Sequence, residues 1–211
     1  MIDSIKQKLE KLNLLKPSSF KKAGVFIGIL NFDEFKDDPH ILFTKRSTKV
    51  STHSGEVSFP GGKWEEGDQD LYQTSLRESF EEINLNTPDV IKLGALHYLI
   101  SRHNIEVNPF IGLLQKKQNF IANDEIEDIF SVPLSYLLDK ENAIQNELER
   151  ENTKIIIPSW VYNEQKIWGL TAMITADFLN ICFDADIPMD LSLIHISEPT
   201  RQEAISYAVF C

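Results

Sequence analysis

Residues 61–85 constrain this chain more than any other stretch, because they place three glutamates on one side of a single helix. Glu78, Glu81 and Glu82 stand at positions i, i+3 and i+4, so an α-helix directs them into one sector. Three carboxylates this close repel one another by about a few tenths of a kcal/mol per pair. A hard cation with oxygen ligands would turn that repulsion into binding. A solvated acidic face is the alternative that the spacing leaves open.

The same segment predicts how the helix ends and how it packs. We expect Asp68 to cap its N-terminus through a side-chain oxygen. Asn84 is expected to end it in the left-handed conformation, which asparagine tolerates well. An apolar stripe on the side away from the glutamates should seat the helix on a core. This stripe consists of Tyr72, Leu76, Phe80 and Ile83.

Composition indicates one acidic globular domain. The 211 residues, 42% hydrophobic and 25% charged, suffice for one domain with a core. A net charge of −11 argues against a broad nucleic-acid surface. The sequence shows no membrane-length apolar run and no secretory pattern at its start, so we expect a cytoplasmic protein. A monomer and a homodimer both stay open. An anionic substrate would need local cations or metal ions at its site.

Apolar runs and periodicity predict a mixed α and β domain around the glutamate helix. Residues 24–31 indicate a strand buried on both faces, and His40–Arg46 its hairpin partner. Pro109 predicts a bulge or a sheet edge in a later strand, residues 105–115. Residues 141–151 are polar and favour a surface helix. The other predicted helices span 2–12, 132–138 and 170–181, and the other predicted strands span 56–59, 92–100, 154–157 and 161–162.

The last residues have a different character. Segments 191–201 and 205–211 resemble the translation of a transposase-based sequencing adapter, with an index of three residues between them. We therefore predict one domain in residues 1–190 and a non-native tail in 191–211. Excluding the tail leaves Cys182 as the native cysteine of this sequence, so no disulfide framework is expected.

Gly62 followed by residues 77–85 (RESFEEINL) resembles the Nudix box, the loop–helix–loop signature of hydrolases that act on diphosphates linked to another moiety. The box arginine is Arg77, and its three glutamates are present. One residue more than usual separates Gly62 from Arg77, the early glutamate of the box falls on Gln69, and Asn84 replaces the late glycine. The resemblance implies an α/β fold, the Nudix-type α/β/α sandwich with a mixed β-sheet.

The flanking segments resemble the coenzyme A pyrophosphatase branch of that family. Residues 42–47 (LFTKRS), Gly55 and residues 59–62 (FPGG) precede the box at the spacing of that branch. Further matches lie at 106–109, 125–134 and 167–172, so the resemblance covers residues 24–181. Ser51 stands where the branch has an arginine, which leaves the identity of the diphosphate open.

The resemblance implies a reaction that depends on Mg²⁺ or Mn²⁺. Arg77 would hold Glu81 in place through an ion pair one helical turn long. The base that activates water would be Glu82 or Glu125, and both alternatives stay open. The implied metal ligands are the carboxylates of Glu78, Glu82 and Glu81 and the backbone carbonyl of Gly62.

The motif before the box implies the substrate contacts. Lys45 and Arg46 alternate on a strand, so at most one of them faces the site. We prefer Arg46, because a guanidinium can bind a phosphate through two N–H groups. The other implied substrate-binding residues are Lys45, Ser47, Gly55, Phe59 and Gly61.

The implied reaction is hydrolysis of coenzyme A, or of its thioesters, to 3′,5′-ADP and 4′-phosphopantetheine or its acyl form. One alternative is another dinucleotide-type substrate such as NADH or ADP-ribose, which Ser51 favours. A second alternative is a non-catalytic, nucleotide-binding sensor. The three intact glutamates argue against a sensor, since such a protein has no need of them.

Overall fold

The computed structural model describes residues 1–48, 55–150 and 153–190, so Ser51 and the tail at 191–211 lie outside it. The helices of the described residues are α1 (Ile2–Glu10), α2 (Leu71–Ile83), α3 (Leu134–Leu138) and α4 (Gly169–Phe183), with a 3₁₀ turn at Thr87–Asp89. The strands are β1 (Lys21–Leu30), β2 (His40–Arg46), β3 (Val57–Ser58), β4 (Gly61–Lys63), β5 (Val90–Ala95), β6 (Leu99–Ile100), β7 (Ile105–Leu114), β8 (Ile126–Pro133), β9 (Ile144–Arg150), β10 (Thr153–Tyr162) and β11 (Gln165–Ile167).

A mixed sheet of eight strands forms the centre of the fold. β1 and β7 run parallel along their full lengths, and β2 folds back antiparallel on β1 with Ile29 opposite Ile41. The other half of β1 pairs with β4, which places Gly62 opposite Gly24. β3 and β8 extend the sheet from β2, whereas β5 and β6 pair with β7. A second sheet holds β9, β10 and β11.

Helices cover both faces of the large sheet. Alternation along β1 sends Phe26 into a cluster with Leu76 and Ile83 of α2. The neighbouring residue, Ile27, belongs to a larger cluster that includes Leu9 of α1 and much of α4. The predicted α/β/α arrangement with a mixed sheet is therefore confirmed.

α2 lies unusually close to β1, and small residues permit the approach. A Cβ atom at Gly24 would overlap the carbonyl oxygen of Leu71 and would stand 3.2 Å from the backbone nitrogen of Ser75. Ser75 and Ser79 are fully buried, and their hydroxyls donate to carbonyls within the helix. The apolar stripe was wrong at one position, because Phe80 is 56% exposed. The side of α2 that faces the sheet is centred on the serines instead.

The ends of α2 confirm one predicted cap and correct the other. Asn84 takes the left-handed conformation at φ 56°, as expected. The N-cap is Asp70, whose carboxylate accepts from the backbone N–H of Gln73 at 2.8 Å. Assigning the cap to Asp68 was wrong, because that carboxylate binds Arg77 instead.

The strands differ from the sequence-based expectations in three places. Pro109 lies in an internal strand, so the sheet edge, one of its two predicted alternatives, is wrong; it stands where the partner of β7 changes from β5 to β6. The N–H that proline lacks would face this interruption, so no ladder bond is lost. Residues 141–151 are not helical, since β9 occupies most of them and pairs with β10. Residues 126–133 form β8, which the sequence did not reveal.

α4 carries a buried acid within an apolar environment. Asp177 is 6% exposed, and its Oδ2 atom has no hydrogen-bond partner among the described residues. Burial raises the pKa of this carboxyl to about 6.

No helix in the described ranges is long and apolar enough to cross a membrane.

Gly24→Ala should lower the free energy of unfolding by about 1–3 kcal/mol, because the new methyl group forces β1 and α2 apart. Urea denaturation followed by circular dichroism measures the change. Gly28→Ala, on the same strand, is the matched control, since its Cβ would meet only side-chain atoms at 3.0 Å or more. An equal loss in both variants would contradict the close helix–strand contact.

Asp177→Asn should stabilise the fold at neutral pH. The folded state holds the Asp177 proton more tightly than the unfolded chain, so the carboxyl destabilises the fold increasingly as the pH rises through about 6. We expect the variant to gain about 3 kcal/mol at pH 8 and to lose this advantage near pH 4. Thermal denaturation across this pH range tests it. Asp186→Asn, which makes the same chemical change on an exposed side chain, is the control.

Candidate active site

β4 brings bare backbone against the side of α2 that carries Glu78, Glu81 and Glu82, here called the glutamate face. The N–H of Gly61 donates to Oε2 of Glu82 at 3.0 Å. A Cβ atom at Gly62 would overlap the carboxylate of Glu78. Gly61 itself has φ 147°, which side-chain-bearing residues rarely adopt. Both glycines are therefore required where the strand meets the carboxylates.

Glu82 is the most buried member of the glutamate face, at 6% exposed. Burial raises the pKa of its carboxyl to about 7, although the Gly61 N–H and the nearby Arg46 act in the opposite direction. Nη1 of Arg46 stands 3.6 Å from Oε1 of Glu82. A buried carboxylate whose negative charge is only partly balanced by its neighbours is well suited to bind a cation.

Arg46 also connects the glutamate face to a distant loop. Its Nη2 atom donates to Oε2 of Glu125 at 3.1 Å, and the backbone N–H of Ser47 donates to the Glu125 carbonyl at 2.7 Å. The Asn123 side chain accepts from the Glu125 N–H, which shapes the loop. Nε of Arg46 is buried without a hydrogen-bond partner in the described part of the chain. The structure thus brings Glu125, which is 57% exposed at its side chain, to the edge of the glutamate face.

Arg77 links the other two glutamates to the loop before α2. The predicted ion pair with Glu81 is present, at 3.2 Å from Nη1 to Oε2. Nη2 lies 3.2 Å from Glu78 and also donates to the carbonyl of Lys63. Asp68 accepts from Nε at 2.9 Å and from Nη2 at 3.1 Å, and this interaction holds the Asp68 pKa down, at about 2. Sequence reasoning missed the role of Asp68, which it treated as a cap.

The remaining predicted substrate-binding residues are spread over two environments. Lys45 pairs with Glu127 at 2.9 Å, so Arg46 and not Lys45 is the residue that reaches the glutamates. Phe59 is buried and its ring stacks on Phe43, which places it in the core rather than on the surface. Ser47 is buried next to Arg46, and the N–H of Gly55 donates to the Arg46 carbonyl.

The donor set fits a hard divalent cation. Burial raises the pKa of Glu78 as well as that of Glu82, and the charge of Glu78 contributes to the Glu82 shift. Their carboxylates and the Gly62 carbonyl are oxygen ligands of the kind that Mg²⁺ and Mn²⁺ prefer. Within the described ranges, no group of three acidic, histidine or cysteine side chains is already assembled as a metal site. Glu81 is turned toward Arg77, and it would join only if that pair opened.

Comparisons with known proteins agree on one family. Residues 22–155 match the family model described as the NUDIX domain. The protein named "Nudix hydrolase 15, mitochondrial" from Arabidopsis thaliana is 38% identical over 175 residues, which cover 80% of this chain and 61% of the relative. "Uncharacterized Nudix hydrolase NudL" from Yersinia pestis is 36% identical over 157 residues, 73% of this chain and 76% of the relative. This chain thus spans less than two thirds of the plant relative.

A solved structure supports the fold. The crystal structure of a MutT/nudix family protein from Enterococcus faecalis superposes with a TM-score of 0.53. It covers 100% of this chain and 82% of that chain at 13% sequence identity. At this identity the similarity concerns the arrangement of helices and strands alone.

Asp68→Asn should weaken the Arg77 network, because an amide cannot replace a carboxylate that accepts two guanidinium bonds. We expect the free energy of unfolding to fall by about 1–3 kcal/mol, and turnover of a diphosphate substrate to fall by about 10- to 100-fold. Asp70→Asn is the matched control for the free energy of unfolding, since asparagine caps a helix as well as aspartate does. Equal losses of stability in the two variants would contradict the distinct roles assigned to Asp68 and Asp70.

Proposed function

The chain belongs to the Nudix hydrolase family, and from this membership we propose that it cleaves the diphosphate linkage of coenzyme A or its thioesters with the help of Mg²⁺ or Mn²⁺. The observation that carries the proposal is the pair of sequestered carboxylates, Glu78 and Glu82, held against the bare backbone of Gly61 and Gly62. The expected products are 3′,5′-ADP and 4′-phosphopantetheine or its acyl form.

The metal ion would be held by Glu78 and Glu82, with the Gly62 carbonyl and Glu81 as further ligands. When bound, such an ion neutralises diphosphate oxygens and activates water. Gly61 fixes the orientation of Glu82 through its N–H, and Arg77 holds the Glu78 and Glu81 carboxylates. Metal binding thus uses side chains whose positions the protein has already restricted.

Arg46 is the proposed phosphate contact. It lies beside Glu82 and Glu125, so its guanidinium can meet a diphosphate that binds at the glutamate face. A base must take the proton of the attacking water, and Glu82 and Glu125 remain the two candidates. Glu125 is favoured by its exposure to solvent, whereas Glu82 is favoured by its position beside the other metal ligands.

The substrate assignment rests on the coenzyme A pyrophosphatase-like segments on either side of the box. NADH or ADP-ribose is the second candidate, because Ser51 replaces the arginine of that branch. Residues 1–190 should be incubated with coenzyme A and Mg²⁺ or Mn²⁺, and the products separated by chromatography with mass detection. The appearance of 3′,5′-ADP supports the proposal, and cleavage of NADH or ADP-ribose alone would contradict the coenzyme A assignment.

The sensor alternative gives a different result in the same experiment. A nucleotide-binding sensor would leave every diphosphate intact in the presence of either metal ion. The monomeric or homodimeric state and the cytoplasmic location expected from the sequence stay predictions. Size-exclusion chromatography and microscopy of the tagged protein would test them.

Glu82→Gln should lower turnover by about 100-fold or more, because an amide neither carries the charge that binds the metal ion nor accepts a proton. The substitution keeps the side-chain shape and can still accept from the Gly61 N–H, so the unfolding transition should remain cooperative. Glu34→Gln, which removes a surface carboxylate paired with Lys117, is the control and should retain activity. Full activity of Glu82→Gln would overturn the metal assignment.

A further inference from the structure

A concave feature lies next to the glutamate face, at the Lys63 end of β4. It has a volume of about 730 Å³ and is lined by Phe20, Lys21, Lys22, Lys63, Trp64, Asp70 and Leu71. This volume is in the range of cavities that hold small-molecule ligands. None of these side chains has been given a role in the chemistry described above. We refer to it as the Trp64 cavity.

The Trp64 cavity presents an aromatic ring that is available for stacking. Trp64 is 48% exposed, which is unusual for so large an apolar side chain. Its ring is nonetheless fixed, because the indole N–H donates to the Asp68 carbonyl at 3.2 Å and its backbone N–H donates to the Lys22 carbonyl at 3.0 Å. A rigid, exposed ring loses little entropy when a flat ligand stacks on it.

The cavity also presents positive charge in an acidic protein. Lys21 and Lys63 are exposed and form no ion pair with any described residue. The Lys22 ammonium is held by the carbonyls of Ser18 and Phe20 and lies 3.5 Å from Glu106. Two lysines are thus free to meet an anion, in a chain whose net charge is −11. Asp70 opposes them, although its carboxylate already accepts from the Gln73 N–H.

Lys63 connects this cavity to the glutamate face. It directly follows Gly62 in β4, and its carbonyl accepts from Arg77, which also contacts Glu78. A ligand that spans both features would place its diphosphate at the glutamates and its end group beside Trp64. A ligand that carries both a flat aromatic ring and negatively charged groups would match Trp64 and the two lysines. A phosphorylated nucleoside has both features.

We propose that the Trp64 cavity binds the phosphorylated nucleoside end of the substrate, stacking its base on Trp64 and pairing its phosphate with Lys21 and Lys63. This assignment rests on the proposed hydrolysis of a nucleotide-linked diphosphate. It adds a binding role for a ring and two lysines that the Nudix-box resemblance does not include.

Direct binding of 3′,5′-ADP in EDTA tests the cavity without requiring turnover. Isothermal titration should detect binding to the wild-type protein, and Trp64→Ala should weaken it about tenfold, the effect expected for the loss of one base–aromatic stack. Trp64→Phe should restore most of the affinity, and Lys63→Ala should weaken binding in a salt-dependent way. Because Trp64 is half-exposed, its truncation opens no core cavity.

Matched controls make the test specific. Lys166→Ala removes a lysine that lies over the Trp168 ring, away from the cavity, and should bind 3′,5′-ADP as the wild-type protein does. 4′-Phosphopantetheine, which has a phosphate and no aromatic ring, should show no dependence on Trp64. Undetectable binding of 3′,5′-ADP to the wild-type protein, or unchanged affinity in Trp64→Ala, would overturn the proposal.

Measurements of turnover distinguish a site for the nucleoside end of the substrate from a site for free nucleotide. If the cavity holds the substrate's own nucleoside end, Trp64→Ala should raise the KM for coenzyme A about tenfold. An unchanged KM together with lost 3′,5′-ADP binding would overturn the substrate assignment and identify a site for free nucleotide. Binding of 3′,5′-ADP without cleavage of any diphosphate would instead refute the proposed hydrolysis, so the two failures are distinguishable.

Discussion

The close contact between α2 and the glycine-containing backbone of β1 and β4 is the constraint on which the rest of the structure depends. Gly24 lets the helix approach β1, and Gly62 lets β4 approach the Glu78 carboxylate. A side chain at either position would need the space that the helix or the carboxylate occupies. The buried serines of α2 complete the contact, because their small side chains satisfy their own hydroxyls within the helix. The position of the glutamates is therefore determined by residues whose side chains take no part in the proposed chemistry.

This geometry has an electrostatic cost that the two arginines reduce. Burial against the glycines favours the neutral form of Glu78 and Glu82, as their raised pKa values show. Arg77 and Arg46 each contact a different part of the glutamate face, and so they compensate part of its charge without filling it. The negative charge of the carboxylates is therefore only partly neutralised, which is the condition under which a divalent cation binds tightly.

The sequence predicted helices and strands correctly where the pattern of apolar and polar residues follows directly from which residues of that segment are buried. The apolar run of β1 and the i, i+3, i+4 spacing on α2 are such cases, and both elements formed as expected. The prediction that Phe80 is buried was wrong because α2 is oriented so that it packs closely on Gly24. An apolar stripe in the sequence does not indicate this orientation. The strand β9 was mistaken for helix because its polar residues favour a strand only when β10 is beside them.

The glutamates of the candidate site and the ion pair between Arg77 and Glu81 could be predicted from the sequence, but the contacts with residues distant in the sequence could not. Arg46 and Glu125 are 79 positions apart, and nothing local indicates that their side chains meet. Asp68 was ambiguous because two aspartates precede α2 and only one of them caps it. The distinction matters for binding, since Asp68 accepts from Arg77 with its carboxylate and from the Trp64 indole with its carbonyl. One loop residue thus fixes both the arginine that orients the glutamates and the ring of the Trp64 cavity, so the candidate active site and the proposed nucleoside site depend on the same residue.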